Sequence, residues 1–249
     1  MLASVRRWKD AVRRSLPRRG RAPRSPYFLR EFLAGMHLGG GGLEVGALHH
    51  PLPLPPSARV RYVDRLDEAG LRAHYPELAG VPFAPVDLVD DGEKLSRVAP
   101  GSQDFVVANH LLEHAQDPVG TVKRFLEVLK PGGVLYLAVP DKRGTFDARR
   151  PLTTREHLHR DHREGPAWSY LGHLREYAEL VDGLSGDALE ERVRFLAEID
   201  YRIHFHVWTQ ATFWEFVVDL RASFGLAFEV LAFVANPPLS ETICVLRKG

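Results

Sequence analysis

Apolar and polar residues follow one another along this chain in a pattern that predicts alternating strands and helices. Short apolar runs predict the strands GLEVG, RVRYVDR, APVDLVD, SQDFVVAN and VLYLAVP. Apolar positions at helical spacing predict the helices YFLREFLAGM, DEAGLRAHYP and LLEHAQDPVGTVKRFLEVLKPGG. Because this order is typical of a parallel sheet covered by helices on both faces, we expect ligands at the carboxyl ends of the strands.

The third predicted helix carries boundary signals at both ends. Asp117 suits the N-cap, Pro118 suits the first turn, and the Pro-Gly-Gly sequence at 131–133 is expected to stop the helix before the fifth strand. Directly before the first strand, the four glycines at 39–42 are expected to form a flexible connection into it.

The C-terminal part of the chain predicts a hairpin and a helical insertion. LAFEVLAFVA and ETICVLRK are two strand-like runs joined by the turn-rich NPPLS, which predicts an antiparallel pair. The preceding segment, from about 145 to 208, is too long for a single crossover, so we expect it to form a helical cap over the strand ends. The prediction is therefore an α/β fold with a doubly wound, seven-stranded sheet, a terminal antiparallel hairpin and a cap.

Composition places these elements in one globular domain. A chain of 249 residues with 45% hydrophobic content can bury a sizeable core, and its net charge of +1 argues against a strongly basic nucleic-acid binder. The single cysteine, Cys244, excludes an internal disulfide and indicates a reducing cytoplasm. No apolar run approaches the roughly 20 residues needed to span a bilayer.

Charge is concentrated at the N-terminus, where residues 1–24 carry nine Arg or Lys against one Asp. We expect a basic N-terminal extension over 1–26 and a single domain over 27–249. The extension lacks the apolar core of a signal peptide. Two interpretations stay open for it: a solvated, partly helical tail, or electrostatic attachment to anionic lipid or a partner through an apolar stripe. That stripe contains Val5, Trp8, Val12 and Leu16.

Five motifs together resemble the class I S-adenosylmethionine-dependent methyltransferases. They are GLEVG, RVRYVD with Asp64 at its end, VDDGEKL, QDFVVANHLLEH and LKPGGVLYLAVPD, and the resemblance covers roughly 40–145 plus the hairpin. It implies a Rossmann-like fold, S-adenosylmethionine as cofactor and a methyltransferase domain over 27–249. The resemblance also implies a set of cofactor-binding residues, which are Glu44, Gly46, Ala47, Asp64, Arg65, Asp91, Gly92, Asn109 and His110.

Within this resemblance, each part of the cofactor has an expected partner. The loop at Gly46 approaches the methionine part, and Asp64 accepts hydrogen bonds from the ribose hydroxyls, because one carboxylate can accept from both hydroxyls of a diol. Asp91 accepts from the adenine amino group, and the backbone of Gly92 faces the ring. Asn109 and His110 lie under the cofactor.

The loop after the first strand departs from the family pattern, because EVGALHHPLPLP lacks the further glycines. S-adenosylmethionine has no phosphate, so a glycine-rich phosphate cradle is not required, and one glycine at the closest approach can suffice. A nicotinamide dehydrogenase shares the first strand and the ribose acid. It requires Gly-x-Gly-x-x-Gly followed directly by a helix, which the proline-rich sequence does not provide.

The twelve histidines supply the candidates for the chemistry on the acceptor. A hydroxyl acceptor needs a base or a metal that removes its proton, and imidazole is basic near neutral pH. YRIHFHVW, if it is a strand, places Arg202, His204, His206 and Trp208 on one face. EHLHRDH places His157 and Asp161 at helical spacing, with His159 and His162 alongside. The catalytic candidates are His204, His206, His157 and His110.

A divalent metal is left open by the sequence. HLLEH, at 110–114, resembles the Glu-x-x-Glu-His metal site of ubiquinone-biosynthetic O-methyltransferases, but His110 replaces the first ligand. Taken as a whole, the motifs also resemble a bacterial subgroup linked to polysaccharide and glycan biosynthesis. This implies O-methylation of a saccharide or sugar-nucleotide hydroxyl, a cytoplasmic location, and contact of the basic N-terminus with the inner face of the membrane or with a glycosyltransferase.

Two alternative functions remain at this point. One is an enzyme of the same fold that uses a metal at the histidine clusters for non-methyl chemistry. The other is a non-catalytic cofactor-binding module that docks to a glycan assembly through the basic N-terminus.

Overall fold

The computed structural model describes residues 25–249, which form a seven-stranded sheet of order β3-β2-β1-β4-β5-β7-β6. Strands β1 to β5 pair in parallel, and β7 pairs antiparallel with both β5 and β6. The predicted α/β fold with a terminal antiparallel hairpin is confirmed. The strands are β1 Gly40–Val45, β2 Ala58–Asp64, β3 Leu88–Val89, β4 Gln103–Asn109, β5 Leu129–Pro140, β6 Phe228–Asn236 and β7 Glu241–Lys248.

Helices flank this sheet and fill the segment between β5 and the hairpin. In the described chain they are α1 Phe28–His37, α2 Glu68–His74, α3 Pro118–Val128, α4 Arg155–Glu164, α5 Tyr170–Leu180, α6 Gly186–Glu198 and α7 Gln210–Ala222. The predicted N-cap of α3 is confirmed, because the Asp117 side chain accepts from the Gly120 N–H at 2.9 Å and Pro118 is the first residue of the helix.

The glycines before β1 are packed, and the prediction of a flexible connection at 39–42 is wrong. Gly40 to Gly42 belong to β1, paired with β2. A Cβ atom at Gly42 would lie 2.4 Å from the backbone oxygen of Phe105 on β4, so only glycine allows these two strands to approach so closely.

Two boundaries differ from the predicted ones. The third strand is reduced to Leu88–Val89, at the edge of the sheet. The Pro-Gly-Gly at 131–133 does not stop α3, which ends at Val128, but lies inside β5. There the register of the β4–β5 pairing shifts between Gln103 and Phe105. The Pro-Gly-Gly segment therefore interrupts the regular hydrogen bonding of two strands and does not end the helix.

The segment YRIHFHVW is extended but does not join the sheet. Its backbone bonds go to separate loops: Phe205 N donates to Glu113 O at 2.7 Å, and Val207 N donates to Thr153 Oγ1 at 2.9 Å. All residues from 203 to 208 are buried, so His204 and His206 do not lie on a solvent-exposed face of a strand. We call 199–209 the strap, since it runs from α6 across the strand ends to α7.

The apolar stripe of the basic N-terminal extension, with its predicted membrane or partner contact, lies outside the described residues. Within 25–249, no helix combines the length and apolarity needed to cross a bilayer.

Candidate functional site

A cavity of about 350 Å³ opens at the carboxyl ends of β1 to β4, and we call it the strand-end cavity. Parallel strands direct their last residues and following loops to this edge, which explains why side chains distant in sequence meet here. The lining includes Gly46, Asp64, Asp91, Gly92, His110 and His114. Tyr201 and Arg202 of the strap form part of the wall.

The loop after β1 is held in shape by a buried carboxylate. Both side-chain oxygens of Glu44 accept from the backbone N–H of Leu52, at 2.9 and 3.0 Å, and burial raises the pKa of Glu44 to about 7. Gly46 has φ +70°, and Leu48 adopts φ 47°, a conformation that non-glycine residues rarely hold without support. Glu44 therefore shapes the loop that the cofactor was expected to approach.

Asp64 and Arg65 lie where β2 ends, on the cavity wall. The Asp64 carboxylate accepts from the Arg65 N–H at 2.7 Å, and burial raises its pKa above the usual range. The Arg65 guanidinium donates to His74 Nε2 at 2.6 Å and lies 3.5 Å from Asp200 of the strap. Arg65 thus connects the strand end to the strap.

The turn after β3 forms the opposite wall. Asp91 Oδ1 accepts from the Glu93 N–H at 2.9 Å, which fixes the turn around Gly92. A Cβ atom at Gly92 would lie 2.8 Å from Val45 Cγ1, so a side chain there would fill the gap between β1 and this turn. Arg202 of the strap contacts Glu93 at 3.2 Å and closes this side.

A second cavity, of about 380 Å³, adjoins the first and is called the side cavity. Gly46, Leu48 and His110 line both cavities, and Ala47 lines the side cavity. Asn109 also lines it, and its buried side-chain oxygen and nitrogen have no hydrogen-bond partner among residues 25–249. A buried amide without partners is costly, so Asn109 is suited to receive polar groups of a ligand.

His110 is a cation held between two buried carboxylates. Its Nε2 donates to Glu241 Oε2 at 2.8 Å, its Nδ1 lies 3.4 Å from Glu113 Oε1, and these partners outweigh burial and raise its pKa to about 9. Glu241 also accepts from Arg30 Nε at 2.8 Å, so β7 and α1 complete the network. The backbone of His110 has φ 50°, which turns the chain at the exit of β4.

His114 lines the strand-end cavity as a neutral imidazole. Its Nδ1 lies 3.0 Å from the carbonyl oxygen of Arg202 and 2.9 Å from that of Ile203. Because carbonyl oxygens only accept, Nδ1 carries the hydrogen and Nε2 keeps its lone pair. Burial lowers the pKa of His114 to about 4.

His204 is buried beside the cavity rather than in its wall. Its Nδ1 contacts Asp147 Oδ2 at 2.6 Å. Arg150 Nη1 donates to Asp147 Oδ1 at 2.8 Å and to the carbonyl oxygen of His204 at 2.6 Å. Glu113, His114 and His204 each place one ligand atom within 4.8 Å of the others. The rings of His204 and His114 are in contact, with their centroids 4.7 Å apart, but only His114 lines the cavity.

His157 and His206 lie in a different place. Together with Asp161 and His173 they form a group inside the cap, here called the cap cluster. Neither His157 nor His206 lines the strand-end cavity or the side cavity as described, so the structure separates these two candidates from His110. Their predicted catalytic roles stay predictions.

Several residues of the site escaped the sequence analysis. Glu241 and Arg30 lie far along the chain from His110, and Tyr75 and Tyr201 reach the cavity from α2 and the strap. His114 was not missed, because the motif HLLEH at 110–114 already placed it four residues after His110, directly after a predicted strand, as part of a possible metal site.

The residues present fit S-adenosylmethionine. The cofactor needs an acceptor for a ribose diol, a surface free of side chains for the adenine, and polar partners for its amino-acid end. Asp64, the backbone at Gly92 and the unpartnered amide of Asn109 supply these three requirements. Two adjoining cavities of about 350 and 380 Å³ provide the space.

Comparison with known proteins points to the same chemistry. A family model described as "Methyltransferase domain" matches residues 49–195, more than half of the chain. The ubiquinone biosynthesis O-methyltransferase of Xanthomonas campestris pv. campestris (strain B100) is 40% identical over 50 residues, which are 20% of this chain. The match spans 21% of the length of that curated relative.

Solved structures resemble this fold at low identity. A SAM-dependent methyltransferase from Aquifex aeolicus is 14% identical, with 90% of this chain and 93% of that chain covered and a TM-score of 0.43. A Rhodobacter sphaeroides protein assigned as a Zn-dependent alcohol dehydrogenase is also 14% identical, with 92% and 90% covered and a TM-score of 0.53. The latter likeness shows the fold alone. On the family match, this chain belongs to the methyltransferase domain family, whose cofactor is S-adenosylmethionine.

Proposed function

We propose that the protein transfers a methyl group from S-adenosylmethionine to a hydroxyl oxygen of a polar, saccharide-like acceptor. The observation that carries the proposal is the strand-end cavity, where Asp64, Gly92 and Gly46 meet at the edge that parallel sheets use for ligands. Asp64 accepts from the ribose hydroxyls, the turn at Asp91 and Gly92 holds the adenine, and the loop at Gly46 holds the methionine part.

The side cavity holds the amino-acid end of the cofactor in this proposal. Asn109 offers a donor and an acceptor that have no partner within the described chain, and His110 lines the boundary between the two cavities. His110 itself is not suited to be a base, since with a pKa of about 9 it is protonated at neutral pH. Its part is to hold the exit of β4 through Glu113 and Glu241.

His114 is the residue best placed to accept the acceptor's proton. When bound, S-adenosylmethionine supplies a methyl group on a positively charged sulfur. Nε2 of His114 would take the hydroxyl proton as the acceptor oxygen receives the methyl group. Glu113 is fully buried, but contacts with His110 outweigh burial and hold its pKa low; its charge opposes the burial that lowers the pKa of His114 to about 4, and so would stabilise the imidazolium.

Two observations support an oxygen on a polar acceptor. The matched curated relative is named as an O-methyltransferase, although the match covers a fifth of it. The rim of the cavity combines Arg65, Arg202 and Glu93 with the rings of Tyr75 and Tyr201, a mixture that suits a hydroxylated ligand better than a flat apolar one.

Calorimetric titration of S-adenosylhomocysteine into the full chain tests the cofactor site. We expect micromolar binding to the wild type, and binding weaker by about 10- to 100-fold in Asp64→Ala, which loses hydrogen bonds to the ribose. Glu68→Ala is the matched control, because this exposed acid on α2 pairs only with Arg72 in the described structure and its loss should leave the affinity unchanged. Absence of binding to folded wild type, or equal affinity in Asp64→Ala, contradicts the proposal.

A further inference from the structure

The cap cluster collects four potential metal ligands from three elements. His157 and Asp161 lie one turn apart on α4, His173 comes from α5, and His206 comes from the strap. One ligand atom of each lies within 4.8 Å of the others. The group is buried: Asp161 is 0% exposed, His206 1% and His173 9%.

The distances within the cap cluster are close to those of a tetrahedral site. His157 Nε2 lies 3.0 Å from His173 Nε2 and 3.1 Å from Asp161 Oδ2, and His206 offers one ring nitrogen in the group whose ligand atoms lie within 4.8 Å of one another. Ligand atoms bound to zinc at about 2.0–2.1 Å are ~3.3 Å apart in a tetrahedron. Two ligand pairs are therefore already near this spacing, and the remaining pairs, all within 4.8 Å, would have to close around a cation.

Two atoms of the cap cluster lack hydrogen bonds. Asp161 Oδ2 and His206 Nδ1 are buried and have no hydrogen-bond partner within 25–249. His157 and His173 bring two ring nitrogens together, of which only one can donate to the other. Lone pairs thus exceed hydrogens in a cluster of which only His157 is partly exposed, and a bound cation would resolve the deficit.

Neighbouring groups fix the orientation of the ligands. Asp161 Oδ1 accepts from Ser169 Oγ at 2.9 Å, which leaves Oδ2 facing the histidines. The carbonyl oxygen of Gln116 lies 3.3 Å from His206 Nε2 and can accept its hydrogen, which leaves Nδ1, without a hydrogen-bond partner in 25–249, as the nitrogen of His206 that would bind an ion. Such partners behind the ligands are a regular feature of protein metal sites.

We propose that His157, Asp161, His173 and His206 bind one divalent zinc ion that joins α4 and α5 to the strap. Three imidazoles and a carboxylate in a compact group are a donor set that zinc prefers, and four protein ligands leave no open position, which is typical of a structural site. The ion would hold the strap, and with it Tyr201 and Arg202, over the strand-end cavity. This proposal does not depend on the methyl-transfer proposal.

Elemental analysis and zinc titration of the untagged full chain test the site. We expect about one zinc per chain after purification or after zinc addition to chelator-treated protein, with a melting temperature that falls on chelation and recovers with zinc. Addition of Co²⁺ instead should give the visible absorption of a tetrahedral cobalt site. These measurements use the wild type, so they remain informative where a variant fails to fold.

Variants locate the ion. Asp161→Asn and His173→Ala should weaken zinc binding by at least about 100-fold, since each removes a ligand. His159→Ala is the matched control, because His159 lies on the same helix but pairs with Asp219 outside the cluster, and it should bind zinc as the wild type does. Folded wild type that takes up no zinc, or zinc binding equal in the wild type and Asp161→Asn, overturns the proposal.

Discussion

The strand-end cavity and the cap cluster both gather histidines, yet they place them in opposite electrostatic states. At the strand ends, His110 lies between Glu113 and Glu241, its side chain is 37% exposed, and its pKa rises to about 9. In the cap, His173 and His206 are buried, and their pKa values fall to about 4 and about 3.

This difference shows that the surroundings of a histidine decide its chemistry. Two carboxylates make His110 a cation at neutral pH that secures a turn, whereas burial with a single shared carboxylate leaves His173 and His206 neutral. His114 is intermediate, because it is neutral like the cap histidines but borders the cavity. The roles proposed above follow this division: structure for His110, proton acceptance for His114 and metal binding for the cap cluster.

The largest effect should come from removing the proposed base. His114→Gln keeps a polar side chain but removes the proton acceptor, so we expect the methyl-transfer rate to fall by about 10²- to 10⁴-fold. The affinity for S-adenosylhomocysteine should change by less than about threefold. The assay uses the best acceptor found in a screen of monosaccharides and sugar nucleotides. His74→Gln, at the rim of the same cavity, is the control and should retain most of the activity; equal rates in His114→Gln and wild type would reject the assignment.

The charged character of the strand ends can be tested by removing Glu241. Glu241→Ala leaves the buried Arg30 and His110 without their shared carboxylate, and we expect the free energy of unfolding to fall by about 3–5 kcal/mol. Glu229→Ala, on the same hairpin, breaks only an exposed pair with Arg247 and should cost less than about 1 kcal/mol. Denaturant titrations measure both values. If both variants lost less than about 1 kcal/mol of unfolding free energy, Glu241 would contribute no more than an exposed ion pair, and the strand ends would not depend on its charge.

The raised pKa of His110 predicts the direction of a pH effect. The folded-state pKa is about 9 and the ordinary value is 6.5, so the stabilisation is fully present below pH 6.5 and is lost as the pH rises through 9. Because the imidazole is partly open to solvent, we expect a loss of only about 1–2 kcal/mol. Denaturant titrations at pH 7 and pH 9.5 should show this loss in the wild type and not in His110→Gln. An equal change in the free energy of unfolding between pH 7 and pH 9.5 in the two proteins would contradict the cationic state of His110.

The smallest effect is expected at the rim. Arg202 is partly exposed and contacts Glu93 and Asp200 at 3.2 and 3.3 Å, so its ion pairs should contribute less than about 1 kcal/mol. Arg202→Ala should therefore weaken S-adenosylhomocysteine binding by less than about fivefold in calorimetry. A loss as large as that of Asp64→Ala would mean that the strap, and not the strand ends, supplies most of the binding energy.

The sequence predicted those features that depend on local pattern. Asp64, Asp91 and Gly46 follow predicted strands, and parallel strands bring such positions to one edge, so their meeting in one cavity followed from the fold. The N-terminal boundary of α3 was predictable for the same reason, because the N-cap Asp117 and Pro118 act within one turn.

Features that depend on packing between distant segments were not predictable in the same way. The cap cluster joins residues from two helices and the strap, and the pairing of His157 with Asp161 was its only local sign. The strap reads as a strand because its residues alternate, but its backbone bonds to separate loops, which no periodicity reveals. The glycines of β1 read as flexible because their neighbour Phe105 lies 63 residues from Gly42 along the chain.

Hydrogen–deuterium exchange of the full chain, with and without S-adenosylhomocysteine, tests the central claim most directly. The account predicts that the cofactor slows exchange in the loops that follow β1, β2, β3 and β4, near Gly46, Asp64, Gly92 and His110, and leaves α4 and α5 unchanged. Protection centred on α4 and α5, or no protection at saturating ligand, would contradict a cofactor site at the strand ends.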